Sequence, residues 1–248
     1  MAELKVTFRQ RRLESDQYGY LTWKINQRPV SLVPQETALV LCDVWDRHWC
    51  RGAEERLAKL LSRMISVVRT ARARGVLIVH APSETMNFYI DSPARQRMLQ
   101  VAPVEPPPDI PHPETPLPID DSDGGGDTDN NPAGVDVEVW TRQHPSIQID
   151  SERDVISDSG NELFSYYRQH GIKNILIMGV HTNMCILQRT FAIKQMVRWG
   201  FTVALIRDLT DAMYNPAMPP YVEHAEGTRL VVEYIEKFWC PTILSVEI

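Results

Sequence analysis

Five short runs of apolar residues recur along the chain, and many of their residues are β-branched. Each run is continuous rather than alternating between apolar and polar positions, which is typical of strands covered on both faces of a parallel sheet. The pattern predicts strands over residues 37–44, 76–80, 174–180, 201–206 and 242–246.

Between these runs, apolar residues recur at the period of an α-helix. In 53–74 the helical pattern stops at Gly75, a residue that suits a helix C-terminus. Similar patterns predict helices over 161–170, 183–199 and 221–238. Alternating strands and helices predict an α/β fold: a doubly wound, mainly parallel sheet with helices on both faces, in a Rossmann-like three-layer arrangement.

Two regions do not follow this alternation. Residues 1–36 are dotted with aromatic side chains, and we expect a hairpin or an arm that crosses a neighbouring subunit. Residues 103–134 are rich in Pro, Gly and Asp, and a loop of this length inside a domain is usually functional, mobile or part of an interface. We therefore expect a single domain over 1–248 with an N-terminal arm and an insertion loop.

The composition is that of a globular protein, with 43% hydrophobic and 23% charged residues among 248. The net charge of −6 argues against nucleic acid or an anionic membrane as the main partner. The sequence has no long apolar run for a membrane span, and its first residues lack a secretory apolar stretch. Four widely spaced cysteines are too few for a disulfide framework, so we expect reduced thiols and a cytoplasmic location.

Candidate chemistry lies where two predicted strands end, because open parallel sheets bind ligands beyond the carboxyl ends of their strands. Asp43 ends the first apolar run, and Cys185 follows the third across a short polar turn. If Thr182 or Asn183 caps the next helix, the helix N-terminus would lower the pKa of Cys185, and Asp43 could take its proton. Alternatively, Cys185 is an inert buried thiol and Asp43 a capping residue.

These residues resemble a known family. Asp43 after a strand, together with the Gly-Val-His-Thr-Asn-Met-Cys sequence of 179–185, resembles the isochorismatase-like cysteine hydrolases, which include nicotinamidases and N-carbamoylsarcosine amidohydrolase. The resemblance covers most of 37–210. It implies that Cys185 is the nucleophile and Asp43 the general acid and base. It also implies a cis peptide before His181 and an oxyanion hole formed by the backbone N–H groups of His181 and Cys185.

The expected function is therefore hydrolysis of a C–N bond, of the amide or ureide type, in a small molecule and without a cofactor. The family also uses a lysine to support the thiolate, but this chain has no lysine between Lys59 and Lys173. The candidate replacements are Arg189, Arg153 and Arg142. Without such a cation, the chain could instead be a catalytically impaired binding or scaffold protein. A second alternative is isochorismate-type vinyl-ether hydrolysis, which uses the aspartate but not the cysteine.

Four residues near the two strand ends are candidates for substrate binding: Trp45, His48, His80 and Arg189. Aromatic side chains beside an acid suit a planar substrate, and an arginine suits a carboxylate. Each has an ordinary structural alternative: the tryptophan in a core or interface, His80 as a satisfied core histidine, and Arg189 in a local salt bridge.

The nicotinamidase branch binds a metal through an Asp-x-His…His cluster, and residues 80–85 lack that spacing, so no such metal is expected. Asp121, Asp123 and Asp127, followed by Asp129, form a weak candidate for Ca²⁺, because carboxylates in a glycine-rich loop are hard oxygen ligands. A solvated acidic loop is the alternative. Since the family generally oligomerises, the expected partners are a small-molecule substrate and further copies of this chain, as a dimer or tetramer.

Overall fold

The computed structural model describes residues 3–128 and 139–248, whose strands form one eight-stranded sheet in the order β2-β1-β8-β7-β6-β3-β4-β5. The neighbours from β8 to β5 are parallel, and β1 is antiparallel to both β2 and β8. The strands are β1 (Leu4–Ser15), β2 (Leu21–Leu32), β3 (Thr37–Cys42), β4 (Leu77–Ala81), β5 (Val155–Ile156), β6 (Asn174–Val180), β7 (Thr202–Asp211) and β8 (Thr242–Ile243).

Helices cover both faces of this sheet, as the sequence predicts. They are α1 (Arg51–Ala73), α2 (Pro93–Leu99), α3 (Gly160–His170), α4 (Cys185–Gln188), α5 (Ile193–Arg198) and α6 (His224–Phe238). On one face α1 buries Leu57, Met64 and Val68 against β3 and β6, and on the other α3, α5 and α6 build a second core. Each fully buried leucine or methionine contributes roughly 1.5–3 kcal/mol through burial. The predicted α/β architecture is confirmed.

Several elements differ from the prediction. The expected helix over 183–199 is two short helices, α4 and α5, separated by an extended residue at Ala192. The expected strand over 242–246 ends at Ile243 and continues as a 3₁₀ turn. The short strand β5 and the helix α2 have no counterpart in the apolar pattern, because two to seven residues are too few to establish a period.

Residues of the predicted arm form the β1–β2 hairpin, which pairs over twelve residues and extends the sheet by two strands. The described part of the predicted insertion, residues 103–128, contains no helix or strand, and 129–134 lie outside the described residues. None of the helices in 3–128 and 139–248 is both long and apolar enough to cross a membrane.

The strand order changes direction between β3 and β6, and ligands bind at such a switch point in open α/β sheets. Gly179 in β6 allows these two strands to approach closely, since a Cβ there would lie 1.9 Å from the carbonyl oxygen of Cys42. The segments that follow β3 and β6 therefore meet at one place, and they carry Asp43 and Cys185.

Candidate active site

Asp43 follows β3 directly and is fully buried, with a left-handed backbone (φ 49°) that turns its carboxyl towards the crevice. Its Oδ1 accepts a hydrogen bond from the backbone N–H of Ser83 at 2.8 Å. Its Oδ2 accepts one from Nε of Arg189 at 3.0 Å. Burial raises the pKa of Asp43, whereas the Arg189 charge opposes that rise. The carboxyl is thus held by two fixed donors.

The turn after β6 brings Cys185 to the same carboxyl. The Val180–His181 peptide bond is cis, as the resemblance implies, and the carbonyl of His181 accepts the N–H groups of Met184 and Ile186. Cys185 lies close enough to Asp43 for the carboxylate to raise the pKa of its thiol. Among the four cysteines, all free, it is the one that is not fully buried. The structure therefore brings the expected nucleophile and acid/base close together.

Two details of this turn correct the sequence interpretation. Neither Thr182 nor Asn183 caps α4, because its N-cap is Met184 and no side chain bonds to the helix end. Thr182 instead bonds to Thr210 at 2.7 Å, and the amide of Asn183 bonds to both backbone groups of Met213. These side chains hold the turn against the end of β7.

The expected lowering of the Cys185 pKa is also wrong. Burial, followed by the charge of the nearby Asp43, raises the pKa of Cys185 to about 12, although Arg189 opposes the rise. The helix that begins at Cys185 has only four residues, so its dipole is too small to offset a neighbouring carboxylate. The resting sulfur is a protonated thiol at neutral pH.

Arg189 lies beside the pair, one residue after α4 ends. Besides its bond to Asp43, its Nη2 donates to Glu84 at 3.0 Å. The other two candidate cations are elsewhere: Arg153 pairs with Asp150 at 2.6 Å, and Arg142 lies 3.8 Å from Asp46. Sequence reasoning missed Glu84, whose place after β4, at the carboxyl edge of the sheet, was the available signal.

Trp45 and His48 line a cavity of about 220 Å³ that reaches Asp43 and Val180. The Trp45 indole stacks on Trp140 with ring centroids 4.1 Å apart, and its Nε1 donates to the carbonyl of Ser83. Cys185 is not among the lining residues. The cavity therefore approaches the candidate pair from the Asp43 side, and its aromatic wall suits a planar group. Trp140 carried no sequence signal, because it belongs to no apolar run or helical period.

His80 does not line this cavity. It is fully buried in β4, where its Nε2 bonds to Asp154 at 2.9 Å and its Nδ1 bonds to Gln143 at 2.7 Å. Arg72 of α1 binds the same Asp154 carboxylate. His80 is a satisfied core histidine, which was its structural alternative.

The aspartates proposed for Ca²⁺ accept hydrogen bonds from side chains of the protein. Asp121 accepts from Asn183 at 2.7 Å, and Asp123 accepts from Asn215 at 2.8 Å. Asp127 receives two hydrogen bonds from Arg56. Asp129 lies outside the described residues. Within 3–128 and 139–248, no three His, Cys, Asp or Glu side chains are grouped to hold a metal ion, Asp121, Asp123 and Asp127 included.

Arg56 of α1 joins Asp127 to a second carboxylate, Asp211, at 2.8 Å. His224 bonds to Asp211 at 3.1 Å, and that interaction raises the pKa of His224 against the effect of burial. This network clamps the loop that contains Asp127 against the end of β7. No sequence signal pointed to Arg56 or His224.

Lowering the pH from 6.5 to about 4 should lower the free energy of unfolding. His48 alone should account for a loss on the order of 2 kcal/mol. Burial lowers the pKa of His48 to about 4 and that of His181 to about 3, so both stay neutral in the native state. In that window the unfolded histidines bind protons and the native ones do not. Urea unfolding at pH 7 and pH 4.5 measures the loss, which His48→Phe should reduce. If His48→Phe lost as much free energy of unfolding as the wild type between pH 7 and pH 4.5, His48 would not be the source of the loss.

No family model matches the sequence, and no curated protein matches it. Among solved structures, the chain is similar to a cysteine hydrolase from Pseudomonas syringae pv. phaseolicola 1448A, with a TM-score of 0.51 and 17% identity over 86% of this chain and 91% of that one. It is also similar to an isochorismatase from Pseudomonas putida KT2440, with a TM-score of 0.51 and 12% identity over 86% and 90% of the two chains. The protein is thus a three-layer α/β protein. Its fold is isochorismatase-like.

Proposed function

We propose that this chain is a cysteine hydrolase that cleaves a C–N bond of the amide or ureide type in a small molecule. The observation that supports the proposal most is the proximity of Cys185 and Asp43 at the switch point of the sheet. Arg189 supports it further, because its Nε lies 3.0 Å from Oδ2 of that carboxyl. The fold of the similar structures is consistent with this function.

In the first half of the reaction, the Cys185 sulfur attacks the substrate carbonyl carbon while the thiol proton passes to Asp43. Because the pKa of the thiol is raised to about 12, attack and proton transfer occur together rather than through a free thiolate. Asp43 then gives the proton to the nitrogen, the C–N bond breaks, and the amine leaves. The acyl group remains on Cys185 as a thioester.

In the second half, Asp43 takes a proton from water, whose oxygen attacks the thioester carbon. The C–S bond breaks, and Asp43 returns the proton to the sulfur, so the products are a carboxylic acid and the free thiol. The oxyanion formed in each half would be held by the backbone N–H groups of His181 and Cys185. Cys185 is suited to this because the first residues of a helix have N–H groups without intrahelical acceptors.

Arg189 acts in this scheme as the cation that replaces the family lysine. Its Nε and Nη2 atoms are engaged by two carboxylates, which favours this role over recognition of a substrate carboxylate. Unlike a lysine, it has no accessible neutral form and cannot shuttle a proton, so proton transfer falls to Asp43 alone.

A panel of small amides and ureides, assayed for ammonia or amine release, tests the proposal. The wild-type protein should turn over at least one of them, and Cys185→Ala should not, because its methyl group cannot form the thioester. The four cysteines are free thiols, which supports a cytoplasmic location and assay under reducing conditions.

Equal release of ammonia or amine by wild type and Cys185→Ala would contradict the proposal. Tight binding without turnover would favour the binding-protein alternative, which the raised thiol pKa supports.

We also propose that the whole chain acts as one domain and that its hairpin joins it to a second copy. The outer strand β2 pairs with β1 and is exposed along nearly its full length. Large apolar side chains cluster on the hairpin, where Tyr18 is 77%, Tyr20 71% and Leu21 67% exposed. A second copy supplies an identical twelve-residue edge, which fits an antiparallel pairing about a twofold axis.

The wild-type protein should therefore be a dimer or a higher closed assembly in light scattering at micromolar concentration. The double variant Tyr20→Glu and Leu21→Lys should be monomeric and remain folded, because neither side chain contributes to the core. Phe88→Glu, at an exposed apolar position away from the hairpin, is the matched control and should leave the assembly unchanged. A wild-type monomer would reject the interface.

A further inference from the structure

Ser83 lies in the turn after β4 and is 2% exposed. Both of its backbone groups are used at the site: the N–H donates to Asp43 Oδ1 at 2.8 Å, and the carbonyl accepts the Trp45 indole N–H at 3.1 Å. These two bonds fix the residue between the catalytic carboxyl and the aromatic wall of the cavity.

The hydroxyl of Ser83 is different, since it makes no hydrogen bond of normal geometry with the described residues. It nevertheless lies close enough to Asp43 to lower the pKa of that carboxyl. An unpaired buried hydroxyl costs about 1–3 kcal/mol, so native proteins rarely keep one without a use. Its position beside the reacting carboxyl points to a reacting molecule as its partner.

The proposed mechanism requires such a group in its second half. During acylation, the thiol of Cys185 gives its proton to Asp43. During deacylation, that sulfur carries the acyl group, and a water must be aligned for attack. Asp43 can accept one proton from the water, but its oxygens already receive Ser83 N–H and Arg189 Nε–H. A bound water makes about three hydrogen bonds, so a second anchor is needed.

We propose that the Ser83 hydroxyl is a further catalytic group, which holds the hydrolytic water beside Asp43 for attack on the thioester. A hydroxyl suits this position because it can donate to the water oxygen or accept from its second proton. The inference rests on the proposed function and assigns to Ser83 the deacylation half alone. The water gives one proton to Asp43, its oxygen bonds to the acyl carbon, and the C–S bond breaks.

Ser83→Ala tests the inference, because it removes the hydroxyl and keeps both backbone bonds. Slower deacylation should lower kcat about 10- to 100-fold and lower KM in parallel, so kcat/KM stays nearly constant. A burst of released amine should precede the steady state, and mass spectrometry should find the acyl group on Cys185. Hydroxylamine, a stronger nucleophile than water, should restore turnover.

Thr85→Val is the matched control, since the Thr85 hydroxyl is buried in the same turn and bonds to the carbonyl of Pro82. It should show no burst and no acyl adduct. Ser83→Ala should be as stable as wild type in urea unfolding, because it removes an unpaired group. Unchanged kcat in Ser83→Ala, or a fall in kcat/KM without acyl-enzyme, would overturn the inference. Lack of any Cys185-dependent turnover in wild type would instead reject the proposed function.

Discussion

Asp43→Asn should lower kcat/KM by about 10²- to 10⁴-fold, because the amide can neither accept the thiol proton nor return it to the leaving amine. The same substitution should make Cys185 react faster with iodoacetamide. The charge of Asp43 raises the pKa of the thiol, and its removal leaves Arg189 to lower it. A fall of about one pKa unit gives about tenfold more thiolate at neutral pH.

A slower turnover together with a faster labelling of Cys185 distinguishes a general base from a carboxyl with only a structural role. Labelling is measured by mass spectrometry of the peptide that contains Cys185, with Cys185→Ala as the blank. Asp46→Asn is the matched control, because Asp46 lines the same cavity but bonds to Thr141 rather than to the thiol. Asp46→Asn should strongly change neither kcat/KM nor the rate at which Cys185 is labelled. If Asp43→Asn left turnover intact, or if Cys185 labelled no faster, the assignment of the base would be wrong.

Arg189→Met should move the acidic limb of the kcat/KM profile to higher pH and destabilise the fold by about 1–3 kcal/mol. Arg189 is the charge that opposes the effect of burial on Asp43, so its loss raises the pKa of Asp43 further. The carboxylate is the reactive form, and a higher pKa of Asp43 keeps it protonated up to a higher pH. The stability loss is kept small because the Arg189 side chain is 30% exposed.

Arg189→Lys should restore most of the pH profile, because an ammonium group supplies the same charge and one hydrogen bond. Its bond to Glu84 would be lost, so full stability should not return. Arg153→Met is the matched control, since Arg153 is exposed and pairs with Asp150. The pH profile and urea unfolding are measured on all three variants. A wild-type profile in Arg189→Met would show that the cation does not support Asp43.

The sequence alone predicts the buried strands and places the two residues that we propose as nucleophile and base. The predicted strand over 174–180 coincides with β6, and those over 37–44 and 76–80 lie within two residues of β3 and β4. Continuous apolar runs predict such strands well because both faces of a central parallel strand are covered. The positions of Asp43 and Cys185 followed from the same pattern, since Asp43 directly follows β3 and Cys185 follows β6 across a short turn at the ligand-binding edge.

Only the tertiary structure decided what surrounds that pair. Helical spacing placed Arg189 on the face of Cys185, but α4 ends at Gln188, and the guanidinium reaches Asp43 from an extended residue. The local motif predicts a lowered pKa for Cys185, whereas burial and a carboxylate 142 positions away in the sequence raise that pKa. The sequence indicates that Asp127 could bind a cation, whereas in the structure its carboxylate accepts hydrogen bonds from Arg56, 71 residues earlier. Electrostatics depends on distance in space, which a linear pattern of residues does not record.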